Sequence, residues 1–176
     1  MFTLKSLGGF LTLTLFCTTQ AIAQHPTPPQ PGDVVFQTDF DSPKQQAAWS
    51  KADYARWETG YQDSTSLCVT GSPDSGDDSS MIKMPLDLKR YQGCQLTFEC
   101  RAKAENVTIP KEAYLGVKFM LHYKSPSVGP RWQNPNDVHG TFDWKALKFL
   151  ATVEADARDG EIDLGLQGSS GKVWFD

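Results

Sequence analysis

The sequence predicts an all-β chain folded as an antiparallel β-sandwich of the jelly-roll kind, and three observations predict it. Apolar residues alternate with polar ones over short stretches, the period of a strand with one buried face. Clusters of Gly, Pro, Asn, Asp and Ser punctuate those stretches at short intervals. No stretch shows a sustained helical period, and no internal repeat occurs. About eight short strands with almost no helix suit a sandwich or jelly roll.

In chain order, residues 1–23 read as a secretory signal peptide. Lys5 precedes an apolar run from Leu7 to Phe16, and Ala21-Ile22-Ala23 supplies a small-x-small cleavage pattern before Gln24. The run falls short of the ~20 residues a membrane span requires, so a secreted chain with no membrane attachment after cleavage is expected. Bulky Phe16 beside Cys17 disfavours a lipoprotein signal. Residues 24–32 form a proline-rich leader that should be extended rather than packed. The sandwich is expected over 33–176.

Its first strand is placed from Val34 to Phe40, ended by Ser42-Pro43. Residues 44–64 read as irregular, with a helical turn near Gln45 to Trp49 and four aromatics: Trp49, Tyr54, Trp57 and Tyr61. Leu67 to Thr70 is a short strand, Gly71 to Ser80 a turn, and Met81 to Leu86 the next strand. Gly93 to Lys103 alternates most regularly, with Cys94, Leu96, Phe98, Cys100 and Ala102 inward and Gln95, Thr97, Glu99, Arg101 and Lys103 outward. Ala113 to Tyr123 repeats the pattern, placing Lys118, Met120 and His122 on the solvated face. A long loop, Lys124 to Asp143, holds Trp132; Leu147, Phe149, Ala151 and Val153 form another inward row; Ala155 to Gly160 is a turn. Two last strands, Glu161 to Gln167 and Lys172 to Asp176, are joined by Gly168-Ser169-Ser170-Gly171 as a hairpin. A strand running to the last residue suggests the N-terminal portion of a longer protein.

Composition narrows the function. Loss of Lys5 with the signal moves the net charge from −4 to −5, and an acidic chain lacks the basic stripe that nucleic acid demands. Cys68, Cys94 and Cys100 would remain after cleavage. Cys94 and Cys100 are six residues apart on one strand, too far to bridge at ~3.3 Å per residue. Pairing of Cys68 with one of them, or three thiols packed as small hydrophobes, both stay open. No zinc-type Cys or His spacing and no G-x-S-x-G occur. Asp156, Asp159, Glu161 and Asp163 hold enough carboxylates for a glycosidase pair, but no apolar pocket flanks the first two, so they read as a solvated acidic turn. No catalytic residue is expected. Asn106-Val107-Thr108 fits a glycosylation sequon.

The closing Gly171 to Asp176, G-K-V-W-F-D, resembles the end of the carbohydrate-binding jelly rolls of families 4 and 9, galactose-binding-like sandwiches appended to secreted glycoside hydrolases. Gly140 to Phe149 (GTFDWKALKF), Thr38 to Asp41 (TDFD), Trp49 and Ser66 to Val69 (SLCV) are similar to segments of the same modules in the same order, over roughly residues 33–176. The resemblance implies a structural calcium ion held by Asp39, by carbonyls near Ser64 and Thr65, and by Asp176; hard carboxylate and carbonyl oxygens suit that ion.

It also implies a sugar-binding face, where flat aromatics meet apolar sugar faces and polar side chains meet hydroxyls. Tyr54, Trp57, Tyr123 and Trp132 are the expected platforms, with His122, Glu161 and Gln167 as polar partners. Where those modules carry glutamines four apart, this chain has Glu161 and Gly165, and Gln167 on the same face is the substitute. Trp49, Trp144 and Trp174 are expected as packing plugs. The implied function is a non-catalytic N-terminal module of a cellulase- or β-glucanase-like hydrolase. It would bind a β-glucan or related polysaccharide and concentrate substrate for a catalytic domain attached beyond Asp176. A ligand-free spacer of the same fold and a cell-surface adhesion domain are the rival expectations.

Overall fold

The computed structural model describes residues 30–72 and 79–176. The expected signal peptide, the leader through residue 29 and the tip of the turn at 73–78 lie outside the described residues. The rest forms two antiparallel sheets. One has five strands in the order β1 (Ala55–Thr59), β2 (Thr65–Gly71), β9 (Gly171–Phe175), β4 (Gln95–Val107), β7 (Gly140–Thr152). The other has four, ordered β3 (Ser79–Leu86), β8 (Arg158–Gln167), β5 (Gly116–Ser125), β6 (Gly129–Gln133). The single α-helix among the described residues, α1 (Pro43–Gln46), starts two residues earlier than expected and is capped by Ser42 with Gln45 reciprocating. No helix among the described residues is long and apolar enough to cross a membrane.

Alternation along the strands builds the core. Ala102 and Ala104 of β4, Val117, Phe119 and Leu121 of β5, and Ile162, Leu164 and Leu166 of β8 are buried. Phe98 stacks on Phe149 across β4 and β7 at 4.8 Å and 7°, and Phe119 from the other sheet meets Phe149 edge-on at 5.1 Å. Three rings from three strands thereby lock one sheet to the other in geometries aromatic pairs favour.

The long loop expected from Lys124 to Asp143 instead contains β6, with Trp132 on it, and the start of β7; three further expectations need correction. Residues 34–39 join neither sheet. Phe40, at φ 59°, turns the chain so that its ring enters the core against Trp49 and Trp57. Val34 and Phe36 stay exposed, and Tyr91 Oη donates to the Val35 carbonyl at 3.2 Å. The segment is separated from β4 by an open apolar trough of about 860 Å3 lined by Leu96, Phe98, Cys100 and Phe175. β4 pairs with β7 from Gln95 to Cys100, but its other edge, facing the trough, has no ladder there, because β9 reaches it only from Ala102 onward, with Arg101 and Asp176 exchanging bonds at 2.9 Å.

The second correction is β1, which lies within the stretch read as irregular. Ala-Arg-Trp-Glu-Thr carries too little apolar alternation to announce a strand, yet it pairs with β2 along its whole length. The third concerns the last two strands. They do not form a hairpin: β8 and β9 belong to different sheets, and Gly168 to Gly171 carry the chain between them. Thr108, just past β4, pins this crossover, its carbonyl taking the Ser169 hydroxyl at 3.0 Å and its Oγ1 the Ser170 N–H at 3.0 Å. Gly171, at φ 116°, approaches Asn106 so closely that a β-carbon would lie 2.6 Å from its carbonyl oxygen.

All three described cysteines are free. Cys68 pairs across the ladder with Arg56 and Trp174 on the outer face of the five-stranded sheet, whereas Cys100 faces inward. They stand on opposite sides of one sheet and cannot bridge without rebuilding it.

Candidate functional site

Because Ile162, Leu164 and Leu166 of β8 point into the core, Glu161, Asp163, Gly165 and Gln167 share the outer face of the four-stranded sheet. Register then sets the rows. Pro85, Glu161, His122 and Trp132 lie opposite one another across four strands. Lys83, Asp163 and Met120 form the next row, and Met81, Gly165 and Lys118 the one after. Gly165 stands where the resemblance leads one to expect a glutamine; at φ 151°, a β-carbon there would collide with the Ser80 carbonyl. The close approach of β3 to β8 therefore excludes any side chain at that position.

The rows create a polar network beside one exposed ring. Trp132 is 58 % exposed and stacks on His122 at 5.3 Å and 6°. His122 Nδ1 lies 2.7 Å from Glu161 Oε1, and Lys83 Nζ donates to the same oxygen at 2.7 Å. Burial works against the Glu161 charge, but the bonds from Lys83 and His122 prevail and hold its carboxyl below the ordinary range. Asp163 is 1 % exposed; its Oδ2 lies 4.0 Å from Lys83 Nζ and its Oδ1 has no hydrogen-bond partner. Burial pushes its carboxyl up to about 6, against the pull of Lys83.

Lys118 and Met120, expected on a solvated face, are 2 % and 4 % exposed. Lys118 Nζ donates to the Tyr114 carbonyl and sits 5.8 Å from the Tyr114 ring. Burial lowers its ammonium to about 8, with Asp163 opposing the shift. The segment ahead of β5 and the loop after β6, joined where Asn134 bonds the Tyr114 carbonyl at 3.4 Å, close over this end of the face.

The expected site residues divide. His122, Glu161 and Trp132 come together, Gln167 sits three rows away on the same face beside Ser79, and Tyr54 stands next to β3 with its hydroxyl on the Met81 carbonyl at 2.8 Å. Tyr123 and Trp57 do not belong. Tyr123 has the inward parity of β5, is fully buried, and donates its hydroxyl to the Thr152 carbonyl at 2.7 Å. Trp57 faces the core opposite Leu67 and packs at 5.4 Å on Phe40. Trp49 is buried as expected, and Trp144 and Trp174 lie half-buried on the other sheet. Lys83 and Asp163 join the site unexpectedly; for Asp163 the available signal was its place between Ile162 and Leu164, two residues from Glu161 on the same face of β8.

The expected calcium ligands are engaged otherwise. Asp176 accepts the Tyr61 N–H at 2.9 Å and the Ser64 hydroxyl on the same oxygen, Oδ2. Asp39 accepts the Asp41 N–H at 3.0 Å, and it is Asp41 that reaches the Thr65 N–H, at 2.7 Å. These bonds fall on one oxygen of each carboxylate.

No protein-family model matches the sequence, and no curated protein does. Solved structures do match in shape. A xylan-binding domain of carbohydrate-binding family 22 superposes with a TM-score of 0.54 at 18 % identity, over 84 % of this chain and 93 % of its own. The fold is that of the carbohydrate-binding-module jelly rolls. A second module of family 16 aligns over 73 % of this chain and 86 % of its own at 17 % identity and TM-score 0.48. A family 4 module covers 69 % and 74 %, at 20 % and 0.44. The family 22 match bears out the jelly-roll expectation for the fold, and family 4 or 9 is not singled out.

Proposed function

We propose that this chain is a non-catalytic polysaccharide-binding module whose ligand, a xylan- or β-glucan-type chain, lies across the outer face of the four-stranded sheet. The observation that carries the reading is Trp132: a mostly exposed indole held flat by its stack on His122, beside carboxylate and ammonium groups in the same rows. One sugar ring stacks on the free face of the indole, and other rings of the same polysaccharide, farther across the sheet, offer hydroxyls to Glu161, Lys83 and Tyr54. The fold shared with a domain named as xylan-binding supports the same class of ligand. Glu161 and Asp163 lie two residues apart on one strand, not facing each other across a cleft, so they are read as binding groups rather than as a glycosidase pair.

Retention on insoluble xylan, cellulose and laminarin tests this. The wild-type chain should be depleted from solution by at least one of them, and Trp132→Ala should weaken retention about three- to tenfold, the loss of one stacking contact, with melting unchanged. A chain left in solution with all three polymers is the spacer of the rival reading, which the prior engagement of Glu161 by Lys83 and His122 favours. Export by a signal peptide, tethering to a glycoside hydrolase and structural calcium at Asp39 and Asp176 belong to this proposal. Added calcium should raise the melting temperature, and Asp176→Asn should remove that rise; a melting temperature indifferent to both calcium and chelator takes the ion out of the account.

A further inference from the structure

The outer face of the four-stranded sheet holds a second kind of donor set. One ligand-type atom from each of His122, Glu161 and Asp163 lies within 4.8 Å of the other two. Asp163 is almost wholly buried among them, and its Oδ1 is unpartnered. A buried carboxylate oxygen without a donor is costly unless a cation or donor meets it. Lys83 supplies part of that charge from one side: its ammonium is 2.7 Å from Glu161 Oε1 and 4.0 Å from Asp163 Oδ2, while its side chain is 46 % exposed and free to swing outward. Lys118, the other nearby cation, spends its hydrogen bond on the Tyr114 carbonyl.

We propose that His122, Glu161 and Asp163 form a binding site for a zinc-type divalent cation, taken in competition with the Lys83 ammonium. One imidazole and two carboxylates are a donor set for zinc rather than calcium, which prefers an all-oxygen shell. Zinc ligands stand ~2.0–2.2 Å from the ion at tetrahedral angles, so His122 Nδ1 and Glu161 Oε1, 2.7 Å apart, spread slightly while Asp163 draws toward them. The ion takes the place of the proton that His122 Nδ1 shares with Glu161 Oε1; a neutral imidazole then carries its proton on Nε2, and an imidazolium releases one proton to solvent. Lys83 then moves off the carboxylates. The stack of Trp132 on His122 holds the imidazole in place throughout.

The site goes beyond the polysaccharide reading and is measured without any sugar. Zinc chloride is titrated calorimetrically into the whole chain at neutral pH, with His139→Ala as the control for stray histidine binding. One zinc per chain is expected for the wild type and for the control. Asp163→Asn, close in shape, and His122→Ala should each weaken binding by about tenfold or more. Lys83→Met, which removes the competitor, should tighten it. Thermal melting of each variant confirms folding. Absence of zinc binding by the wild type, equal binding by Asp163→Asn, or weaker binding by Lys83→Met overturns the site. Retention on polysaccharide, run separately with a chelator present, shows whether the sugar reading survives that outcome.

Discussion

At Lys118 the sheet buries an ammonium whose only described bond goes to the Tyr114 carbonyl. Burial drags its titration down from 10.5 to about 8, so the folded state sheds this proton before the unfolded chain does. The penalty is complete below about pH 8, where both states are charged, and stability from this residue rises between about pH 8 and 10.5. Lys118→Met keeps the length of the stem without the charge. It should raise the melting temperature by a few degrees at pH 7, and the gain should shrink to nothing as pH climbs through that window; a pH series of melts checks it. Tyr123 and Trp57 teach a related lesson about parity. Both were plausible platforms by residue type, yet Tyr123 shares the parity of Phe119 and Leu121, so its ring had to enter the core. Trp57 turned inward because β1 exists, which a five-residue strand with one large apolar side chain does not advertise.

Among the elements, β4 and β5 were legible as strands because strict alternation fixes which side chains share a face, and a one-residue slip would invert every side chain; the cover over Lys118 and Met120 on the outer face of β5 was not legible. The crossover from β8 to β9 was not. A Gly-Ser-Ser-Gly link has hairpin length, and nothing local tells a turn within a sheet from a step between sheets; the bonds from Thr108 that decide it come from residues some sixty positions away. The first expected strand failed for a comparable reason. Val34 to Phe36 has strand-like composition, but a strand needs a partner edge, and the trough separates it from β4. Alternate β4 residues on that open edge, Thr97 and Glu99, follow the parity of Arg101, which does bond Asp176. Their amides should exchange with solvent at least about a hundredfold faster than that of Leu164 in β8, which is paired on both edges, since unpaired edge amides open without unfolding the sheet. Slow exchange at both positions, measured by NMR, would mean that something already covers this edge.

For the whole molecule, a two-layer fold follows from period-two alternation and turn chemistry alone, and a shape shared with carbohydrate-binding modules at 18 % identity shows how little of the sequence such a sandwich must keep. What the fold does for function is to hold rows of side chains at fixed spacing on one outer face while the other sheet carries Trp144 and Trp174 on its own. The five tryptophans therefore report separately on the two faces and the core. A titration of the isotope-labelled chain with soluble xylo- and gluco-oligosaccharides, following the indole N–H signals, tests the central claim most directly. The account predicts that the Trp132 signal moves with sugar concentration while those of Trp49, Trp144 and Trp174 stay fixed. Movement of Trp144 or Trp174 with Trp132 unmoved, or no movement of any indole with any sugar, would contradict it.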